Sequence, residues 1–161
     1  VSPTDHAAEL AARVADLLAG RTLAVAESCT AGALAAACAA AGDGATWFRG
    51  GIVAYQDEVK RNLLGVAAPS TVTAVAAAEM ARGAARLFGV DVAVATTGVF
   101  GAEPVDGVPP TTVIVATHVH GAVRVHRHAL ESDPSIAVDQ AVAAALGQLV
   151  DHLDDARLCR M

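Results

Sequence analysis

A chain of 161 residues suffices for one domain with a single developed core, and 54% hydrophobic against 3% aromatic content builds that core from Ala, Val and Leu. The formal net charge is −6 with no run of Lys or Arg, which argues against a nucleic-acid surface, since phosphate-backbone binding needs concentrated positive charge. No apolar stretch has the length and purity of a membrane span and no secretory signal opens the chain, so a soluble intracellular domain is expected.

In chain order, Val1 in place of an initiator Met predicts a trimmed or processed chain. Leu10, Val14, Leu17 and Leu18 recur at helical spacing, predicting a helix over residues 6–18 with Thr4 or Asp5 as its cap and Gly20 as its end. Residues 23–26 read as a short apolar strand. A polar turn follows, then an alanine-rich helix that opens near Thr30, runs over about residues 32–41 and is closed by Gly42. Residues 42–45 read as a flexible loop, and 47–55 as a strand with a glycine-marked bend or bulge where Arg49-Gly50-Gly51 interrupts it. A short helix over 57–64 stops at Gly65, with Asp57 and Glu58 in its favourable first turn. After a linker around Pro69, a long helix over 74–88 ends at Gly89. The continuous apolar run 90–96 is a strand for a sheet buried on both faces. Glycines and prolines mark 97–110 as a loop. Residues 111–119 and 123–130 form two strands around a tight turn at Gly121, and 134–153 form the last helix with Ser132 or Asp133 as cap, leaving 158–161 frayed. Alternating helices and strands with one late hairpin predict a three-layer α/β/α sandwich around a mixed sheet, a single domain over residues 1–161.

The stretch 23–32 carries the chemistry. A strand running into a helix leaves backbone N–H groups at the helix start without partners, a site for an anion or a developing oxyanion. Ser28 lies in that turn, where its hydroxyl would attack a carbonyl; equally, Ser28 or Thr30 would serve as an ordinary helix cap. Strand ends that lead into helices gather at one edge of a doubly wound sheet, so Ser28, Tyr55, Lys60 and the loop after Thr97 are expected to face one crevice. A lysine beside a serine serves as its base when burial and positive neighbours favour the free amine, with Arg61 and the helix dipole as sources of that field. Glu27 or Glu58 would oppose it. The alternative is a solvated Lys60 and a half-buried Tyr55.

Ala26-Glu-Ser-Cys-Thr-Ala-Gly32, Trp47-Phe-Arg-Gly-Gly-Ile-Val-Ala-Tyr55, Glu58-Val-Lys60, Leu63-Leu-Gly-Val66 and Thr97-Gly98 together resemble the CinA C-terminal domain family, which includes bacterial nicotinamide-mononucleotide deamidases. The likeness covers nearly the whole chain. It implies a serine amidohydrolase with a Ser/Lys dyad that converts nicotinamide mononucleotide and water to nicotinic acid mononucleotide and ammonia. Carried over by position, Ser28 is the nucleophile, Lys60 the general base and Tyr55 the assisting group. Glu27, Cys29, Thr30, Gly32, Arg49, Thr97 and Gly98 complete the substrate site, Thr30 and Gly32 by shaping the helix start.

Three departures stand against the pattern. The family's Thr-Gly-Ile-Ala-Gly-Pro-Gly-Gly becomes Thr97-Gly-Val-Phe-Gly-Ala-Glu-Pro104, which puts the Phe100 ring and the Glu103 charge near the ligand. Lys-Pro-Val-Gly-Thr-Val becomes Val108-Pro-Pro-Thr-Thr-Val113. Two arginines near the final helix are replaced by Pro134 and Val138. Arginine grips phosphate through paired hydrogen bonds, and each lost charge-assisted contact costs about 1.5–3 kcal/mol. Arg49 or Arg124 would have to compensate. The alternatives are therefore a catalytically degenerate binding domain of this fold, or an amidase for a less anionic amide.

The remaining candidates are weaker. A three-residue turn at 120–122 would put His118, His126 and His128 on one face, with Arg124 directly across from His118; a cation there and the lack of a carboxylate argue against a metal. Cys29, a thiolate candidate at a helix start, is expected to point away from Ser28's side. Three cysteines at unrelated spacings, Cys29, Cys38 and Cys159, suit a reducing cytoplasm. The expected partner is a small-molecule substrate, with no cofactor, metal, nucleic acid or membrane. Alanine-rich helix faces favour a homo-oligomer.

Overall fold

A computed structural model describes residues 3–159 of the chain. The elements run α1 (Pro3–Leu18), β1 (Leu23–Glu27), α2 (Ala33–Ala40), α3 (Gly44–Trp47), β2 (Phe48–Val53), α4 (Asp57–Leu64), α5 (Ala74–Phe88), β3 (Val92–Val99), β4 (Thr112–Val119), β5 (Ala122–Ala129) and α6 (Pro134–Leu158). The five strands form one mixed sheet in the order β2-β1-β3-β4-β5. β2 and β3 flank β1 in parallel, while β3, β4 and β5 pair antiparallel.

The two faces of the sheet carry different side chains, and that sets the layers. On one face Leu23, Val25, Val92, Val94, Val113 and Val115 pack with Val14 and Leu18 of α1, Leu34 of α2 and Leu146 and Leu149 of α6. On the other, Ala24, Ala26, Ala93, Ala95 and Ala116 meet Ala77, Met80, Ala81 and Ala84 of α5, with Leu64 of α4 beside them. The result is the expected three-layer α/β/α arrangement around a mixed sheet. The methyl-lined face brings α5 close to the strands, and each buried CH₂ contributes about 0.8 kcal/mol. Among the described residues no helix is long and apolar enough to cross a membrane.

Several boundaries differ from the sequence expectation. α1 starts at Pro3, a residue suited to the first helical position, so Thr4 and Asp5 lie within the helix. α2 runs Ala33–Ala40, within a residue of the expected 32–41, and its start is set three residues beyond Thr30 by Gly32, left-handed at φ 102. The expected loop at 42–45 runs into the short α3. In β2 the predicted bulge falls at Arg49: Leu23 pairs with Phe48 and Ala24 with Gly50. β3 continues to Val99, so Thr97 and Gly98 are strand residues paired with Ile114 and Val113, not loop. α6 is capped by Asp133, whose carboxylate accepts from the Ser135 N–H, and Leu158 is still helical. The expectations for Val1, Arg160 and Met161 lie outside the described residues.

The hairpin register is also corrected. His120 and Gly121 are both left-handed, at φ 49 and 87, and close a two-residue turn, so Val119 pairs with Ala122. A two-residue turn in place of three moves every β5 side chain to the other face. His126 and His128 therefore pair with Val115 and Val113, while His118 pairs with Val123 on the opposite face, and Arg124 faces Thr117. The three histidines do not gather.

Candidate active site

The carboxyl ends of β1, β2 and β3 lie side by side: Glu27 pairs with Val53 on one flank and Thr96 on the other. Chain direction diverges here, with α2 and β2 following β1 to one side and β3 lying on the other, which is where ligands enter open α/β sheets. A cleft of about 650 Å³ opens at this edge. Its wall includes Ser28 and Cys29 from the turn after β1, Tyr55 after β2, Lys60 of α4, and Thr97 and Gly98 at the end of β3. Six of the sequence-predicted site residues thus share one cavity. Glu27, Thr30 and Gly32 lie outside its wall, and so does Arg49.

Ser28 is held by its backbone: its N–H donates to the Thr96 carbonyl at 3.0 Å and its own carbonyl accepts from Ala31. The residue is only 7% exposed, yet its hydroxyl has no hydrogen-bond partner among the described residues. What remains accessible to it is the cleft.

The expected empty helix N-terminus is filled from within. Glu27 is 0% exposed, and its carboxylate accepts from the Thr30 hydroxyl at 2.6 Å and from the N–H groups of Gly32 (3.1 Å), Leu34 (3.0 Å) and Ala35 (2.8 Å). Ala33 donates to the Thr30 carbonyl, so the first donors of α2 are all satisfied. This corrects the reading of that helix start as an anion or oxyanion site: the anion is Glu27 itself. Neither Ser28 nor Thr30 is the cap; Gly32 is. Thr30 instead bridges Glu27 to the Thr96 hydroxyl at 2.8 Å.

Lys60 is 3% exposed, which rules out the solvated-lysine reading. Its Nζ donates to Asp57 Oδ1 at 3.1 Å and to the Tyr55 carbonyl at 3.4 Å, and neither bond goes to Ser28. The carboxylate opposite this lysine is Asp57, not Glu27 or Glu58. The Thr71 hydroxyl donates to the same oxygen at 2.7 Å, and that bond, reinforced by Lys60, holds the Asp57 carboxyl below its usual range. The Tyr55 ring is 67% exposed at the rim. Arg61 is spent on the carbonyls of Ala68 and Pro69.

Cys29 lines the cleft beside Ser28 rather than pointing away from it. Burial above all pushes its thiol up to about 12, the nearby Glu27 adding to the rise, although the N–H groups of Cys29 and Thr30 face the sulfur. It is a protonated wall group, not a thiolate. Thr97 spends its hydroxyl on the Thr71 carbonyl at 2.8 Å. Gly98 sits so close to β4 that a Cβ would fall 2.2 Å from the Thr112 carbonyl oxygen.

The two arginines considered as phosphate partners lie elsewhere. Arg49 sits near the amino end of β2, beside Thr22 and Trp47, at the opposite edge of the sheet. Arg124 pairs with Asp155 of α6 at 2.7 Å. Among the described residues of the cleft wall Lys60 is the only cation, against Asp57, Glu103 and Asp106. Phe100 also lines the cleft, its ring packed partly into the core. Among the described residues no group of three or more His, Cys, Asp or Glu is placed to hold a metal ion.

Asp57 and Thr71 are functional neighbours that sequence reasoning missed. Asp57 precedes Lys60 by one helical turn, a readable i, i+3 pairing. Nothing local marks Thr71, whose position depends on how the linker folds back.

The sequence pattern of the CinA C-terminal domain family matches residues 7–153. A CinA-like protein of Mycolicibacterium gilvum is 46% identical over 106 residues, 63% of this chain and 25% of that protein. The chain therefore spans about a quarter of the length of the curated relatives it matches. The competence-damaged protein (CinA) superfamily protein from Klebsiella pneumoniae 700603 superposes with a TM-score of 0.87 at 38% identity, covering 92% of this chain and 98% of its own. The corresponding superfamily protein from Escherichia coli gives 0.86 at 33% identity, covering 93% and 92%.

Proposed function

We propose that this chain, which belongs to the CinA C-terminal domain family, is a serine amidohydrolase of the nicotinamide-mononucleotide deamidase type. The observation that carries this reading is the Ser28 hydroxyl: nearly buried, without a protein partner, and open to a cleft whose wall includes a buried lysine. In the proposed reaction Lys60 first releases the proton that it holds in its resting ion pair with Asp57; Ser28 Oγ then attacks the carboxamide carbon, and its proton passes to the Lys60 amine. That step requires one Lys60 bond, to Asp57 or the Tyr55 carbonyl, to be exchanged for one to Ser28. The tetrahedral oxyanion would be held by the N–H groups of Cys29 and Thr30, which directly follow the nucleophile in the chain. Collapse expels ammonia, which takes the proton back from Lys60, and water then hydrolyses the acyl-Ser28 ester to the acid. Asp57, fixed by Thr71, positions Lys60; Tyr55 and Thr97 flank the entering amide.

Free Cys29, Cys38 and Cys159 support a cytoplasmic setting. Exposed Val53, at the end of the edge strand β2, and Tyr55 just after it support a homo-oligomer. The function is tested by ammonia release from nicotinamide mononucleotide. Turnover by the purified chain, lost by at least about 10²-fold in both Ser28→Ala and Lys60→Ala, is the expected result. Turnover that survives Ser28→Ala contradicts it.

A further inference from the structure

We infer that, among cationic carboxamides of the nicotinamide type, the cleft binds those without a phosphate more tightly than those with one, with Glu103 and Asp106 as the residues that set this preference. The inference rests on the amidohydrolase reading only for the reacting group; the charge preference follows from the wall itself. Asp57 is neutralised locally by Lys60 and hydrogen-bonded by Thr71. Among the described residues, neither Glu103 nor Asp106 takes part in an ion pair, and both residues line the cavity.

Asp106 is not on a loose loop. Val105 and Val108 exchange two backbone hydrogen bonds, at 3.1 and 2.9 Å, and Asp106 and Gly107 between them are both left-handed, at φ 50 and 80. This is a closed two-residue turn that presents the carboxylate at the cleft mouth. Ser28, 7% exposed, lines the same cavity, and its hydroxyl has no hydrogen-bond partner among the described residues. A ligand whose amide reaches Ser28 therefore directs its remaining groups past two unpaired carboxylates. A phosphate dianion there meets like charge on the wall, with Arg49 and Arg124 out of reach. A cationic ring meets attraction. At a screened, partly solvated distance each carboxylate alters the affinity for a unit charge by a factor of about 2–5, so the two together separate a cation from an anion by at least about tenfold.

The test compares nicotinamide riboside, a cationic carboxamide, with nicotinamide mononucleotide, the same ring bearing a phosphate. Binding is measured by calorimetry on the Ser28→Ala chain at low salt, and ammonia release on the unaltered chain. The riboside is expected to bind at least about tenfold more tightly. Added salt is expected to weaken riboside binding and to strengthen mononucleotide binding. Glu103→Gln with Asp106→Asn, both exposed positions, should bring the two affinities within about threefold. Equal or tighter binding of the mononucleotide overturns the inference. So does a ratio unchanged in the double variant, or no binding of either compound at millimolar concentration. If neither compound releases ammonia while the riboside still binds preferentially, the charge preference stands and the amidohydrolase reading falls.

Discussion

Replacing Glu27 by Gln keeps the side chain's size and removes only its charge and half of its acceptor capacity. In the structure one fully buried carboxylate receives four hydrogen bonds, three from backbone N–H groups at the start of α2 and one from Thr30. A carboxamide offers one oxygen, with room for about two of those donors, and turns an NH₂ group toward the others. Two donors are then left unsatisfied in the interior, each at about 1–3 kcal/mol. Allowing for local relaxation, the loss should be about 2–5 kcal/mol. For a domain of this size 1 kcal/mol moves Tm by roughly 2–4 °C, so melting should fall by about 5–15 °C. Circular dichroism melts and urea titrations read both quantities, with exposed Glu58→Gln as a control expected within about 0.5 kcal/mol of the parent. A Glu27→Gln chain that melts within about 1 °C of the parent would refute the view that Glu27 holds the turn carrying Ser28.

His152 of α6, hydrogen-bonded through Nδ1 to the Thr117 hydroxyl at 2.9 Å, is pushed down to about 4 by burial and, secondarily, by Arg124. The unfolded chain binds this proton near 6.5 and the folded chain only near 4, so stability is full above pH 6.5 and declines as pH falls toward 4. The loss is on the order of 2–3 kcal/mol, and His152→Leu should flatten that limb of a pH series of urea titrations. Gly98→Ala forces a methyl against the Thr112 carbonyl and the Val113 Cα, and should cost about 1–3 kcal/mol, whereas Gly101→Ala, with open space around it, should be near neutral. Iodoacetamide at pH 8 should alkylate exposed Cys159 and leave Cys29 intact despite its place in the cleft, because its thiol titrates near 12. Peptide mapping after labelling reads the difference.

The parts of the fold that were legible in the sequence are those fixed by local chemistry. Gly65 and Gly89 end α4 and α5 in the left-handed conformation, at φ 71 and 63, as glycines after helices do. The unbroken apolar run of β3 announced a strand covered on both faces. The convergence of Ser28, Tyr55, Lys60 and Thr97 followed from the rule that strand ends lead to one edge, and all four line the cleft.

What was not legible depended on distant partners. A carboxylate beside a helix start looks like a surface charge or a ligand contact in one dimension; only the fold shows Glu27 turned inward onto Gly32, Leu34 and Ala35. The hairpin failed by a single residue, since one turn position decides which face all of β5 presents. The tie between Asp57 and Thr71 spans the α4–α5 linker and has no local signature. Arg49 carries a charge suited to phosphate, but only the parallel pairing of β2 with β1 reveals that it lies at the far edge of the sheet.

Every proposed step in the cleft depends on the Ser28 hydroxyl acting as nucleophile. Quenching the chain during turnover of a carboxamide that it hydrolyses, followed by peptide mass spectrometry, should reveal an adduct equal to the substrate minus ammonia on the peptide containing Ser28. The Lys60→Ala chain should form it far more slowly. Turnover without an adduct, or an adduct located on Cys29, would contradict the account.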